Sequence, residues 1–132
     1  MIKVNKKIII VVITLVIVGC AVFGVKYLLD VKEYKDKINK ITINDVNLNS
    51  IADGKYTGVC DVNFIKAKVV VNVENNKIDS IKLVEHKNER GQKAESIIKT
   101  VEEKDSLKVD TVSGATNSSK VILKAIENAL ES

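Results

Sequence analysis

An α+β domain, a small antiparallel sheet with two helices packed on it, preceded by one N-terminal transmembrane helix, is the architecture that this sequence of 132 residues predicts. Three observations carry that expectation. A long run without charge lies near the start of the chain. Two apolar stretches that read as strands lie on either side of a polar turn in the middle. Two apolar patterns of helical period close the chain. Strands first and helices after them imply an antiparallel sheet with the helices packed against it.

Residues 1–29 read as a membrane anchor. MIKVNKK is short and basic, and Ile8 to Val25 then carries no charged residue. As a helix that run rises about 1.5 Å per residue, roughly 27 Å in all, enough to cross the hydrocarbon core. The apolar region of a cleaved signal peptide is shorter, about 7–15 residues, so this helix is expected to remain. By the positive-inside rule Lys3, Lys6 and Lys7 stay cytoplasmic, which puts the rest of the chain outside, and Lys26 reaches the far interface. A rival reading starts from Ile17-Val18-Gly19-Cys20, which resembles a bacterial lipobox and would make Cys20 a lipidated N-terminus. The residues after Cys20 remain apolar, which favours the uncleaved anchor. Both readings set the domain on the outer face of a membrane.

The charge balance follows from the anchor. The chain carries 21 basic and 17 acidic residues, a formal net charge of +4. Lys3, Lys6, Lys7 and Lys26 account for the excess, so residues 30–132 are neutral overall and nucleic acid is not an expected partner. Cys20 falls in the anchor and Cys60 stands alone in the domain, so no disulfide is expected within it. No CxxC or Cys/His pair occurs, and no metal site is expected.

Residues 30–52 read as a spacer. DVKEYKDKINKI is mixed in charge with sparse apolar positions, and NDVNLNSIADG is rich in Asn and Asp, a loop composition. The compact domain is expected over 53–132. GKYTGVC is a short strand. In FIKAKVVVNVE, Val69, Val71 and Val73 share one face against Lys68, Val70 and Asn72 on the other. Glu74-Asn75-Asn76-Lys77 reads as a turn and KIDSIKLVE as the return strand of a hairpin. Ala94, Ile97, Ile98 and Val101 mark one amphipathic helix; Ile122, Ala125, Ile126 and Ala129 mark the last. About 80 residues build one modest core, not a large enclosed active site.

The last helix is preceded by SGATNSS. A helix starting near Asn117 leaves free N–H groups facing Ser113 and Thr116, and with the positive end of the dipole they form an anion site. Gly114 lets the backbone turn and approach a phosphate. The plainer alternative is an N-cap, in which the hydroxyls only satisfy those N–H groups. The N-cap leaves the joint occurrence of Asp110, Ser113, Gly114 and Thr116 unexplained.

Those residues carry a family resemblance. Asp110-Thr111-Val112-Ser113-Gly114-Ala115-Thr116 resembles the D-x-x-[ST]-G-A-T signature of the FMN-binding domain family, which also occurs in the flavin-bearing subunits of sodium-pumping NADH:quinone reductases and related ferredoxin:NAD oxidoreductases. The similarity extends over most of 53–131: Asp53-Gly54-x-Tyr56-x-Gly58 is similar to the family's opening, Val69–Ile81 to its hairpin, and SSKVILKAIENAL to its closing helix. The resemblance implies FMN, transferred from FAD by a flavin transferase and esterified through its phosphate to Thr116. Ser113, Gly114, Ala115 and Asp110 then belong to the cofactor-binding loop, with Asp110 equally readable as a turn residue. One segment departs from the pattern. Where the family often shows H-x-E-T-x-G, this chain has His86-Lys87-Asn88-Glu89-Arg90-Gly91, with Glu89 shifted and the threonine absent. His86 is the only histidine, and at a strand end it reads as a surface residue. Tyr56 and Phe64 are able to stack on a flavin ring but read more simply as core.

The resulting expectation is a membrane-tethered, extracytoplasmic flavoprotein that carries electrons between membrane or extracellular redox partners, with FMN covalently attached. No acid/base or nucleophile set surrounds a substrate pocket, so an electron-transfer protein is expected rather than a stand-alone enzyme. The alternative is a sensory or structural domain that binds FMN non-covalently or binds no flavin.

Overall fold

The computed structural model describes residues 3–88 and 91–131, so Glu89, whose shifted place was noted above, lies outside the described residues. The chain divides between Glu33 and Tyr34 into two compact units. Helix α1 spans Lys6–Lys40, 35 residues. From Ile8 to Leu29 every residue is exposed, and α1 is the one helix among the described residues long and apolar enough to cross a membrane. The Thr14 hydroxyl in this run donates to the Ile10 carbonyl at 2.8 Å, so its polar group is satisfied within the helix, as hydrocarbon surroundings require.

In the second unit three strands form one antiparallel sheet in the order β1-β2-β3. They span Gly54–Asp61 (β1), Lys66–Glu74 (β2) and Lys77–Lys87 (β3). Ala67, Val69, Val71 and Val73 of β2 are wholly buried while the residues between them are half-buried, the alternation read from the sequence. Asn75 and Asn76 join β2 to β3 with φ of 51° and 63°. Two left-handed residues in a two-residue loop match the twist of a hairpin, and Asn tolerates that region.

The β2–β3 ladder slips twice, between Lys68 and Val69 and between Asn72 and Val73. Asp79 and Val84 are the extra residues on β3. The partners of the buried face of β2 are consequently Ile78, Ile81, Leu83 and His86, which no strict period of two along β3 would select. Each bulge resets the phase of the strand.

Helix α3, Thr116–Glu131, packs across β1 and β2, and α2, Ile97–Lys104, lies against β3. Ile122, Ala125, Ile126 and Ala129 of α3 are fully buried, as are Val101 and nearly all of Ile97 in α2. Each such Ile contributes roughly 1.5–3 kcal/mol by leaving water. At Gly58 of β1 an added Cβ would collide with the Ala125 carbonyl and the Ala129 amide of α3, so the glycine sets how closely helix and sheet approach.

Part of the stretch expected as a spacer belongs to this core. Ile38 is 5% exposed, and Ile41, Ile43, Val46, Leu48 and Ile51 pack against the buried cluster. The polar residues that suggested a free loop serve as clamps. Asp45 accepts from the Leu107 N–H at 3.0 Å and the Ser106 hydroxyl at 2.9 Å. Glu127, 1% exposed, accepts from the Asn44 N–H and side-chain amide and pairs with Lys124 at 2.9 Å. A buried carboxylate is tolerated only with such partners.

Candidate functional site

The loop before α3 is a tight turn held from within. The Ala115 N–H donates to the Val112 carbonyl at 2.9 Å. The Ser119 hydroxyl accepts from the Val112 N–H at 3.0 Å and donates to the Ala115 carbonyl at 2.7 Å. Ser119 is fully buried and Ala115 nearly so. Gly114 adopts φ of +77°, a left-handed conformation that suits glycine. The helix starts at Thr116, one residue before the expected point, directly after Ala115.

The alternative N-cap, with the Ser113 or Thr116 hydroxyl on those N–H groups, is not formed among the described residues. Thr116 and Ser113 are exposed, and neither hydroxyl makes a hydrogen bond among the described residues. Ser119 reaches back from the first turn and braces the loop instead. The first N–H groups of α3, which no preceding turn can satisfy, are thus left to a ligand or solvent.

A cavity of about 380 Å³ opens at this helix start, within the range of small-molecule sites, about 300–1,000 Å³. Gly114, Ala115, Thr116, Asn117 and Ser118 form one side, and Tyr34, Phe64 and Ile65 form an apolar wall. The Tyr34 and Phe64 rings meet edge to face, 5.4 Å between centroids at 70°, a favourable aromatic geometry. The Asn117 side-chain amide donates to the Tyr34 hydroxyl at 3.0 Å, joining the wall to the helix start. Gly91 completes the lining. A Cβ there would collide with the Ser118 hydroxyl, so this glycine serves a close approach of two segments.

The structure brings Gly114, Ala115 and Thr116 to the cavity. Ser113 stands on the exposed turn beside it. Asp110 lines a different cleft of about 600 Å³, with Ile41, Leu107 and Lys120. Tyr56 is turned away from both, its hydroxyl donating to the Ala52 carbonyl at 2.6 Å. Three residues missed by sequence reasoning belong here: Tyr34, read as spacer; Asn117, read only as a helix start; and Lys93, whose ammonium lies beside Gly114. No local pattern marks Tyr34 and Lys93, which reach the site through the tertiary fold, and Asn117, next to Thr116, shows its role only in its bond to Tyr34.

His86 is a correction. It was expected at the surface, yet its side chain is 2% exposed. The bulge at Val84 turns it to the core face opposite Ala67. Its Nδ1 lies 3.3 Å from a Glu95 carboxylate oxygen and 3.4 Å from the Asn88 amide nitrogen, and Asn88 in turn accepts from the Gly91 N–H at 3.0 Å. The buried Nε2 has no partner among the described residues.

Residues 63–131, a little over half of the chain, match the family model of the FMN-binding domain. No curated protein matches the chain.

Proposed function

The chain belongs to the FMN-binding domain family, its cofactor is FMN, and from that premise we propose that it is a membrane-tethered flavoprotein electron carrier with FMN esterified to Thr116. The residues around the cavity fit the group. Tyr34, Phe64 and Ile65 offer an apolar, aromatic wall for a flat ring. The α3 N-terminus offers N–H groups and a positive dipole end for a phosphate. Gly114 leaves the space that a Cβ would fill.

One observation carries the assignment of the acceptor. Thr116 is the hydroxyl that lines the cavity, is exposed and makes no hydrogen bond among the described residues. Ser118 is 3% exposed, Ser119 is fully buried and committed to the loop, and Ser113 lies outside the lining. Esterification replaces the Thr116 hydroxyl proton with the flavin phosphate. With FAD as donor the P–O–P bond breaks and AMP leaves. Ala115 and Ser119 hold the loop for this step, and Gly114 gives access; Ser113 and Asp110, on the outer side, suit recognition by the transferase. Bound FMN supplies one- and two-electron redox chemistry, while the protein supplies attachment and orientation. The basic residues before the apolar run support an extracytoplasmic domain, where covalent attachment prevents loss of the cofactor. Its redox partners are then membrane or extracellular proteins.

Intact mass after co-expression with a flavin transferase tests the proposal. The wild-type chain gains the mass of FMN less water, and Thr116→Ala does not. Its fold should survive, because the exposed Thr116 side chain makes no hydrogen bond among the described residues. Flavin on a tryptic peptide of Thr116→Ala would transfer the role to a serine. A wild-type chain that stays colourless beside an active transferase would end the carrier reading.

A further inference from the structure

We propose that Lys93 supplies the counter-charge for the flavin phosphate and makes the cavity selective for FMN over riboflavin; the proposal rests on the reading of this cavity as the flavin site. A Cβ built on Gly114 would come 2.5 Å from the Lys93 Nζ and 3.1 Å from its Cε. The ammonium therefore stands over the loop at the residue where the backbone is barest, two positions before Thr116.

Its place is set by the surrounding structure. Lys93 lies in the 3₁₀ turn Gln92–Ser96 that follows Gly91. Gly91 is pressed against Ser118 in the first turn of α3, so the stem of Lys93 starts beside that helix. The Ala94 N–H donates to the Gly91 carbonyl and the Ser96 hydroxyl to the Lys93 carbonyl, both at 2.9 Å. Glu95, the acid nearest in the chain, is turned toward His86. Among the described residues no carboxylate forms an ion pair with Lys93. The charge is available to a ligand.

Two sources of positive potential thus flank the loop at Gly114, one the Lys93 ammonium and the other the N–H end of α3. Both act on a phosphate. Neither favours the uncharged isoalloxazine ring, whose contacts are with the aromatic wall. Removing the ammonium should consequently weaken FMN and leave riboflavin unaffected. A lysine binds phosphate as a point charge, so arginine is an adequate substitute and a neutral side chain of similar length is not.

The test uses the full chain in detergent with Thr116→Ala, which blocks esterification, and measures equilibrium affinity for free FMN and for riboflavin by flavin fluorescence. Adding Lys93→Met should weaken FMN binding roughly three- to tenfold, as for a solvent-exposed charge-assisted contact. Riboflavin affinity should not change. Lys93→Arg should restore FMN affinity, and raising salt should narrow the gap between the Lys and Met forms. Equal loss for both ligands, or an unchanged FMN-to-riboflavin ratio, overturns the role of Lys93 while leaving the flavin site standing. Binding of neither ligand by a folded Thr116→Ala chain overturns the flavin site itself, and the Lys93 proposal with it.

Discussion

Ser119 and Thr116 lie three residues apart on one helix, and the hydroxyl of one is enclosed while that of the other is open to the cavity. Ser119 serves two backbone groups of the loop, the Val112 N–H and the Ala115 carbonyl. Ser119→Ala leaves both without that partner. The expected cost is about 1–3 kcal/mol, the usual penalty of an orphaned buried group. Urea denaturation checks it, and unchanged stability would mean that the loop does not depend on the Ser119 hydroxyl. Cys60 makes a second residue-scale prediction. Burial pushes its thiol pKa up, outweighing the lowering effect of Lys124, and the thiolate is the reactive form. Maleimide should label Cys60 in denatured protein and leave it unlabelled in the native fold. Rapid native labelling would show that this edge of the sheet opens.

At the scale of elements, the segment from Ile41 to Ile51 acts as a strap across the connection between α2 and α3. Asp45 is its main polar tie. Burial raises the Asp45 pKa, but hydrogen bonds from Leu107, Ser106 and Val46, with Lys108 nearby, more than offset this and leave it below its ordinary value of 3.8. A carboxylate with a depressed folded pKa stabilises the fold above its unfolded pKa, and that contribution is lost as pH falls through the folded pKa. The stability gap between wild type and Asp45→Asn should therefore be constant above about pH 5 and shrink below the ordinary value of 3.8. Thermal melts from pH 7 to pH 3 measure it, and a gap independent of pH would remove the carboxylate from the account. The two bulges in β3 belong to the same scale. The first puts Ile81 and Leu83 on the core face, and the second keeps His86 on it, where it meets Glu95 and Asn88.

For the whole molecule the prediction concerns the membrane. α1 is long and apolar enough to span it, and Lys3, Lys6 and Lys7 precede the apolar run. The domain after it should be digested when a membrane-impermeant protease is added to spheroplasts. Protection behind an intact inner membrane would reverse the topology. Mass spectrometry of the membrane form should find Cys20 unmodified inside an intact N-terminal helix; a diacylglycerol group on Cys20 would establish the lipoprotein form.

Whatever depends on local phase was legible in the sequence. The alternation of Val69, Val71 and Val73, the helical spacing of Ile122, Ala125, Ile126 and Ala129, and the uncharged run from Ile8 to Val25 specify strand, packed helix and a helix apolar enough to cross a membrane, because each pattern is a property of neighbouring residues. The motif ending at Thr116 was legible for the same reason. The remaining features were decided by tertiary structure. Bulges depend on what the partner strand offers, so β3's exchange of strict alternation for a core face of Ile78, Ile81, Leu83 and His86 had no local mark. The polar stretch after Ile41 looked like free chain until its Asn and Asp residues met α3 and the residues before it. The cavity joins Tyr34, Phe64 and Gly91 to the start of α3 and sets Lys93 over Gly114. Those residues are far apart in sequence, and only the packing of α3 across the sheet, at the distance Gly58 permits, brings them around one threonine.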